Sequence, residues 1–302
     1  MKTLSLVVPC FNEEKCIAPF IAAVDALGLG SPLELVFVDD GSRDGTLSQI
    51  KAAAAVDARV RYVSFSRNFG KEAALLAGLR HATGELVVTM DADLQHRPEL
   101  LKEMLKAVEE EGYDAAAVCR TTREGGARSW FAHRFYALMS RFSEVELRDG
   151  MMDFRMMTRQ VAEVVLSLGE AGRFTKGIYQ WVGFRTKWIE AENAERTAGA
   201  SKWSLKSLFA YSLRGFVAFS TAPLQLATAA GTVLLLGSLV GFLVQAVRAL
   251  AGFAVSGGAL LALGLFALGG LQLLSIGILG LYVAGISREA KRRPAYVVKE
   301  QR

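Results

Sequence analysis

Two carboxylates one residue apart, Asp91 and Asp93, follow directly on the apolar, largely β-branched run Leu86-Val87-Val88-Thr89-Met90. A run of that kind reads as a buried parallel strand. Acids at its carboxyl end fall in the crevice where open α/β sheets bind their ligands. Two neighbouring carboxylates repel each other unless a cation lies between them, and hard oxygen donors suit Mg²⁺ or Mn²⁺. Mg²⁺ commonly takes one or two protein carboxylates and completes its shell with water and phosphate oxygens. Asp91 and Asp93 therefore read as a metal seat for a diphosphate. The plainer alternative is an acidic loop after a strand.

The elements that must position this pair are legible from the pattern. Strands are predicted over residues 4–8, 35–38, 60–65, 85–90 and 114–119, with a helix after each of the first four. Strands alternating with helices at this spacing predict an α/β, mostly parallel sheet with right-handed crossovers. A further strand is expected over 184–189, and residues 129–142 read as a helix whose aromatic stripe suits core packing. Other routes to a nucleotide are missing. Gly28-Leu29-Gly30 follows a helix and lacks the third glycine of the dinucleotide fingerprint, and Gly70-Lys71 lacks the earlier glycine of a P-loop.

Of 302 residues, 52% are hydrophobic, and the formal net charge is +5. The charges are unevenly spread: between Arg214 and Arg288 the only charged residue is Arg248. Residues 224–247 and about 260–286 are each long enough to cross roughly 30 Å of hydrocarbon. Lys202, Lys206 and Arg214 precede the first stretch, and Arg288, Lys291, Arg292 and Arg293 follow the second. The positive-inside rule then places both flanks in the cytoplasm and makes the pair a hairpin, with a buried core helix pair as the alternative. Residues 204–223 are amphipathic and suit the headgroup plane. The expected organisation is a cytoplasmic catalytic domain over 1–203, a juxtamembrane helix over 204–223, a transmembrane hairpin over 224–287 and a basic tail over 288–302. The apolar run near the amino terminus is too short for a signal peptide. Basic residues gather over 120–148 and beside the apolar stretches, which suits lipid headgroups or phosphates, and no basic run interleaved with aromatics suggests nucleic acid. Cys10, Cys16 and Cys119 have no metal-ligand spacing and read as packing thiols.

Taken together, the loops resemble family 2 glycosyltransferases of the GT-A fold. The resemblance rests on Val7-Val8-Pro9 through Asn12-Glu13, Val38-Asp39-Asp40-Gly41-Ser42 with Asp44-Gly45-Thr46, and Asp91-Ala92-Asp93-Leu94-Gln95-His96. Within that family, three further stretches are similar to the polyprenyl-phosphate branch, which includes bactoprenol glucosyltransferases and dolichol-phosphate mannose synthases. They are Ser66-Arg67-Asn68-Phe69-Gly70-Lys71-Glu72-Ala73, Asp153-Phe154-Arg155, and Arg196 with Gly199-Ala200-Ser201-Lys202-Trp203. Ala200 and Trp203 depart from the pattern, where relatives often carry an acid and a tyrosine.

The resemblance implies a set of roles. Pro9, Phe11, Glu13 and Asp40 would hold the base and ribose of a nucleotide sugar. Asp91, Asp93 and Gln95 would hold Mg²⁺ or Mn²⁺, and Arg120 would lie near the donor. Arg155, Arg196, Ser201 and Lys202 would contact the lipid phosphate or the diphosphate. Asp153, with Asp93, would be catalytic, either as base or by orienting Arg155 or the acceptor. The implied reaction is inverting transfer of a hexose, UDP-glucose being the first choice of donor, to undecaprenyl or another polyprenyl phosphate. It would take place at the cytoplasmic membrane, in a homo-oligomer for which a tetramer is one candidate state. GDP-mannose, UDP-GlcNAc or a UDP-aminopentose are alternative donors. A processive polysaccharide synthase would need a Gln-x-x-Arg-Trp motif, and no Arg-Trp dipeptide occurs. A non-catalytic sugar-nucleotide sensor would not need intact carboxylates in every donor loop.

Overall fold

The computed structural model describes residues 2–120, 150–170, 173–191, scattered positions between 240 and 251, and 257–302. An eight-stranded sheet organises it, built from β1 (Leu4–Cys10), β2 (Leu33–Asp39), β3 (Val60–Phe65), β4 (Leu86–Thr89), β5 (Ala115–Arg120), β6 (Met151–Thr158), β7 (Thr186–Ala191) and β8 (Val298–Gln301). Their spatial order is β7-β5-β6-β4-β1-β2-β3-β8. The pairs β1/β2, β1/β4, β2/β3 and β5/β7 are parallel. The pairs β4/β6, β5/β6 and β3/β8 are antiparallel. The sheet is thus mostly parallel, as expected.

Helices cover both faces, as parallel strands require. They are α1 (Ile17–Asp25), α2 (Thr46–Val56), α3 (Lys71–His81), α4 (Leu100–Glu109), α5 (Arg159–Ser167) and α6 (Thr175–Trp181), and a last helix, α7 (Gly257–Ala290), follows β7 in the chain. Side chains alternate across a strand, so Leu4, Leu6 and Val8 of β1 pack on one face with Phe20, Ile50 and Met104. Val7 packs on the other with Leu79, Val161 and Ile178. Gly78 lets α3 lie close on that face, since a Cβ there would collide with Val7.

Register brings the site together. Leu4 stands opposite both Leu33 and Leu86, and Cys10 opposite Asp39, so β1, β2 and β4 run side by side toward one edge of the sheet. The chain departs from β1 to β2 on one side and later returns to β4 on the other. The crevice between β1 and β4 is therefore the topological switch point, where such sheets bind ligands.

Two features differ from the sequence reading. β6 is an antiparallel strand inserted between β4 and β5, carrying Asp153 directly beside the end of β4. The end of the chain, read only as a basic tail, supplies β8 at the far edge of the sheet. The helix expected over 260–286 is present as α7, 34 residues in which only Arg288 and Glu289 are charged. Several of its side chains are not among the described residues, and over the described ones alone no helix is long and apolar enough to cross a membrane. The stretches 129–142, 204–223 and the greater part of 224–247 lie outside the described residues.

Candidate active site

The loops after β1 and β2 are knitted to each other. Asn12 N–H donates to Ser42 Oγ at 2.9 Å, Arg43 N–H to Asn12 Oδ1 at 2.9 Å, and Glu13 N–H to Thr46 Oγ1 at 2.8 Å. Asn12 takes a positive φ of 54°, which asparagine tolerates better than most residues. Pro9, Phe11 and Glu13 sit half-buried along this seam.

Asp40 faces inward. It is 3% exposed, and its two oxygens accept from Phe69 N–H at 2.6 Å and Gly70 N–H at 2.9 Å. Burial raises its pKa, while these two N–H groups act the other way. Asp40 thereby holds the loop that leads into α3. Gly41, at φ 65°, lies so close to the Arg67 backbone that no Cβ would fit.

Beyond β4, Asp91 is part-buried, and Asp93 Oδ1 accepts from Gln95 N–H at 3.2 Å. Leu94 between them has a positive φ of 55°. Lys71, the first residue of α3, reaches across: its Nζ lies 2.7 Å from Asp91 Oδ1 and 2.6 Å from Asp153 Oδ2. Lys176 of α6 stands 3.7 Å from the other Asp153 oxygen and donates to Met151 O at 2.7 Å. Burial alone would raise the Asp153 pKa, but Lys176 and Lys71 hold this carboxyl far below the usual range. Burial would lower the Lys71 pKa, but Asp153 and Asp91 raise it well above that of a free lysine. Thr89 Oγ1 donates to Asp153 O at 2.6 Å and ties the two strand ends.

These groups border a cleft of about 230 Å³, lined by Asp91, His96, Arg120, Met151, Asp153 and Lys176 among others. Gly150, at φ 80°, returns the chain to Arg120, whose N–H donates to Gly150 O at 2.9 Å. His96 is 6% exposed, its ring stacked on Phe154 at 5.3 Å, and among the described residues its Nδ1 has no hydrogen-bond partner. Burial keeps this imidazole's pKa below its ordinary value.

Sequence reasoning thus brought Asp91, Arg120 and Asp153 to one cleft, with Asp93 and Gln95 on its β4 loop. Arg155 lies on β6. It is 2% exposed, with its guanidinium 4.5 Å from the Tyr179 ring centroid and 5.4 Å from that of Trp188. Burial pushes its pKa down to about 10. Arg196, Ser201 and Lys202 lie outside the described residues. Lys71, His96 and Lys176 were not assigned a role from sequence. Lys71 carried a signal, a lysine opening the helix after β3, whereas Lys176 carried none.

Among the described residues no group of three or more His, Cys, Asp or Glu gathers as a metal cage. Two carboxylates at a strand end facing an open cleft still fit a hard cation that draws its remaining ligands from water and phosphate.

The Glycosyl transferase family 2 profile matches residues 5–166. A bactoprenol glucosyl transferase of Shigella phage SfV is 39% identical over 99% of this chain and 99% of its own. A prophage bactoprenol glucosyl transferase homolog of Escherichia coli K12 is 38% identical over 98% of each. Among solved structures, glucosyl-3-phosphoglycerate synthase from Mycobacterium tuberculosis, in complex with Mn²⁺, UDP-glucose and phosphoglyceric acid, superposes with a TM-score of 0.50. It is 21% identical, over 72% of this chain and 78% of that one, a likeness of fold.

Proposed function

The chain belongs to glycosyl transferase family 2 and is a glycosyltransferase, and from that premise we propose that it transfers glucose from UDP-glucose to undecaprenyl or a related polyprenyl phosphate. The observation that carries this reading is the extent of the likeness. Relatives named for bactoprenol glucosyl transfer align end to end, across the apolar carboxy-terminal part as well as the sheet. The product would be a lipid-linked sugar for glycosylation of the cell envelope.

The site suits an inverting displacement at the anomeric carbon. Asp91 and Asp93, with Gln95, would hold Mg²⁺ or Mn²⁺, which when bound neutralises the departing nucleoside diphosphate. The loops after β1, β2 and β3 would carry the nucleoside, with Pro9, Phe11 and Glu13 on the seam. The acceptor phosphate would enter the cleft between Arg120 and Lys176, with His96 on the same lining. A phosphate monoester has its second pKa near 6 and is mostly dianionic at neutral pH, so it needs little help from a base. Asp153, held ionised between two lysines, is a weak base and a firm anchor for both cations. Arg196, Ser201 and Lys202 are proposed to complete the phosphate contacts.

The connectivity supports a membrane placement. β8 returns to the catalytic sheet only a few residues after α7 ends at Ala290. If α7 crosses a bilayer, the chain must cross once more before it to keep both ends on one face, which is what a hairpin over 224–287 provides. The positive flanks make that face cytoplasmic.

The test is incubation of membranes carrying the protein with a panel of UDP and GDP sugars and undecaprenyl phosphate, followed by mass measurement of the lipid fraction. A hexosyl phospholipid formed from UDP-glucose supports the reading. Transfer only to soluble acceptors, or no lipid product from any donor, overturns it.

A further inference from the structure

The last residues of the chain are built into the side of the sheet that carries the loop into α3. β8 lies antiparallel to β3, with Val63 opposite Gln301 and Phe65 opposite Val298. Tyr62 and Arg302 exchange both backbone hydrogen bonds, at 3.0 and 2.9 Å, and Ser66 N–H donates to Val297 O at 3.0 Å. Side chains reinforce the pairing: Lys51 meets Glu300 at 2.5 Å, and His81 Nε2 lies 3.0 Å from Gln301 Oε1. Just before the strand, the Tyr296 ring stacks on Phe65, centroids 4.8 Å and planes 16° apart.

That stack continues inward. Phe65 meets Phe69 edge-on at 5.8 Å, a favourable aromatic geometry. Phe69 and Gly70 supply the N–H groups that hold Asp40, and the next residue is Lys71, whose ammonium joins Asp91 to Asp153. A chain of packed groups therefore runs from the tail to the cleft. At its other end the tail is joined to α7 by residues 291–295 alone.

We propose that the tail from Tyr296 to Gln301 is a positioning element for the nucleotide side of the site. Its docking sets the loop over residues 66–70, and through it the placement of Lys71, while holding the end of α7 at a fixed reach from the cleft. A strand that only covered the sheet edge would protect against aggregation and leave the loop indifferent to Tyr296. The proposal rests on reading the cleft as a nucleotide-sugar site, so its test includes one measurement that does not.

Full-length protein in detergent is compared as wild type, Tyr296→Ala and Tyr296→Phe. One measurement is calorimetric binding of UDP with Mg²⁺ and no acceptor; the other is amide hydrogen exchange over residues 66–72. Tyr296→Ala is expected to weaken UDP about tenfold and to speed exchange within 66–72 above the rest of the domain. Tyr296→Phe keeps the stack and should match wild type in both. Unchanged UDP affinity together with unchanged exchange in Tyr296→Ala overturns the proposal. So does faster exchange spread evenly over the domain, which marks a merely structural role. If Tyr296→Ala does not fold, Tyr296→Leu keeps apolar cover without the stacked ring and is judged the same way. Wild type that binds no UDP refutes the nucleotide reading, and exchange over 66–72 then decides the tail by itself.

Discussion

The Lys71 ammonium lies 2.6 Å from the Asp153 carboxylate, across 82 residues of sequence. With Lys176 on the other oxygen, the acid most open to a role as catalytic base is committed to two cations. A carboxylate held so far below its usual pKa gives up much on taking a substrate proton, and is a weak base. Asp153→Asn is therefore expected to lower kcat/KM for polyprenyl phosphate about 10–100-fold, chiefly through the lipid KM, with the pH profile unchanged in shape. Steady-state kinetics at several pH values check this. An unaltered lipid KM with a turnover loss that recovers above about pH 6 would instead identify a base.

Asp91 and Asp93 separate by their partners. Asp91 binds Lys71, whereas Asp93 is engaged by its own loop. Either Asn substitution should cut turnover by at least about 100-fold, since several kcal/mol of leaving-group stabilisation depend on the metal. Only Asp91→Asn should also disturb the lysine. Mn²⁺ binding in the presence of UDP, followed by electron paramagnetic resonance, should be weakened in both. Wild-type Mn²⁺ affinity in Asp93→Asn would remove that residue from the metal seat.

Arg155 and Lys176 should respond in opposite ways. Arg155 is stacked between Tyr179 and Trp188, a setting in which lysine is not an equivalent. Arg155→Lys is expected to lower Tm by about 2–6 °C, corresponding to 1–2 kcal/mol, with the lipid KM nearly unchanged. Lys176→Met should leave Tm in place and raise the lipid KM about tenfold through loss of one charge-assisted contact. A thermal melt and an acceptor titration on both variants distinguish the roles.

What the sequence disclosed follows from how each signal is encoded. The β4 run and its acids were legible because burial demands a continuous apolar stretch and the switch in polarity is abrupt. β6 was not, because Met-Met-Asp-Phe-Arg-Met-Met-Thr shows no clean alternation, and its two charged residues are satisfied only by elements elsewhere. The aromatic neighbours of Arg155, Tyr179 and Trp188, were not legible because nothing local announces them. Lys176 became visible only when α6 was laid against Asp153. β8 spells Val-Lys-Glu-Gln, a short, charged edge strand whose polarity reads as a tail for the same reason that it suits an edge.

Glu34 supplies the last prediction, an acid limit on stability. It is 8% exposed, within β2, and accepts from Ser5 Oγ, from Thr83 N–H at 2.9 Å, from Thr83 Oγ1 at 3.1 Å and from Arg61. Burial alone would raise its pKa, but these donors reverse that and leave it below the ordinary 4.5. A depressed folded-state pKa means that the unfolded chain takes up the proton first. The stabilisation is therefore complete above the unfolded value and is lost as pH falls through the folded one. Glu34→Gln should cost about 1–3 kcal/mol at neutral pH, the range for a buried group that loses charged hydrogen bonds. The gap between variant and wild type should narrow below about pH 4.5, as the wild-type carboxyl is itself neutralised. Thermal melts of both proteins from pH 7 down to pH 3.5 measure it, and a gap that stays constant or widens on acidification would show that Glu34 does not set this limit.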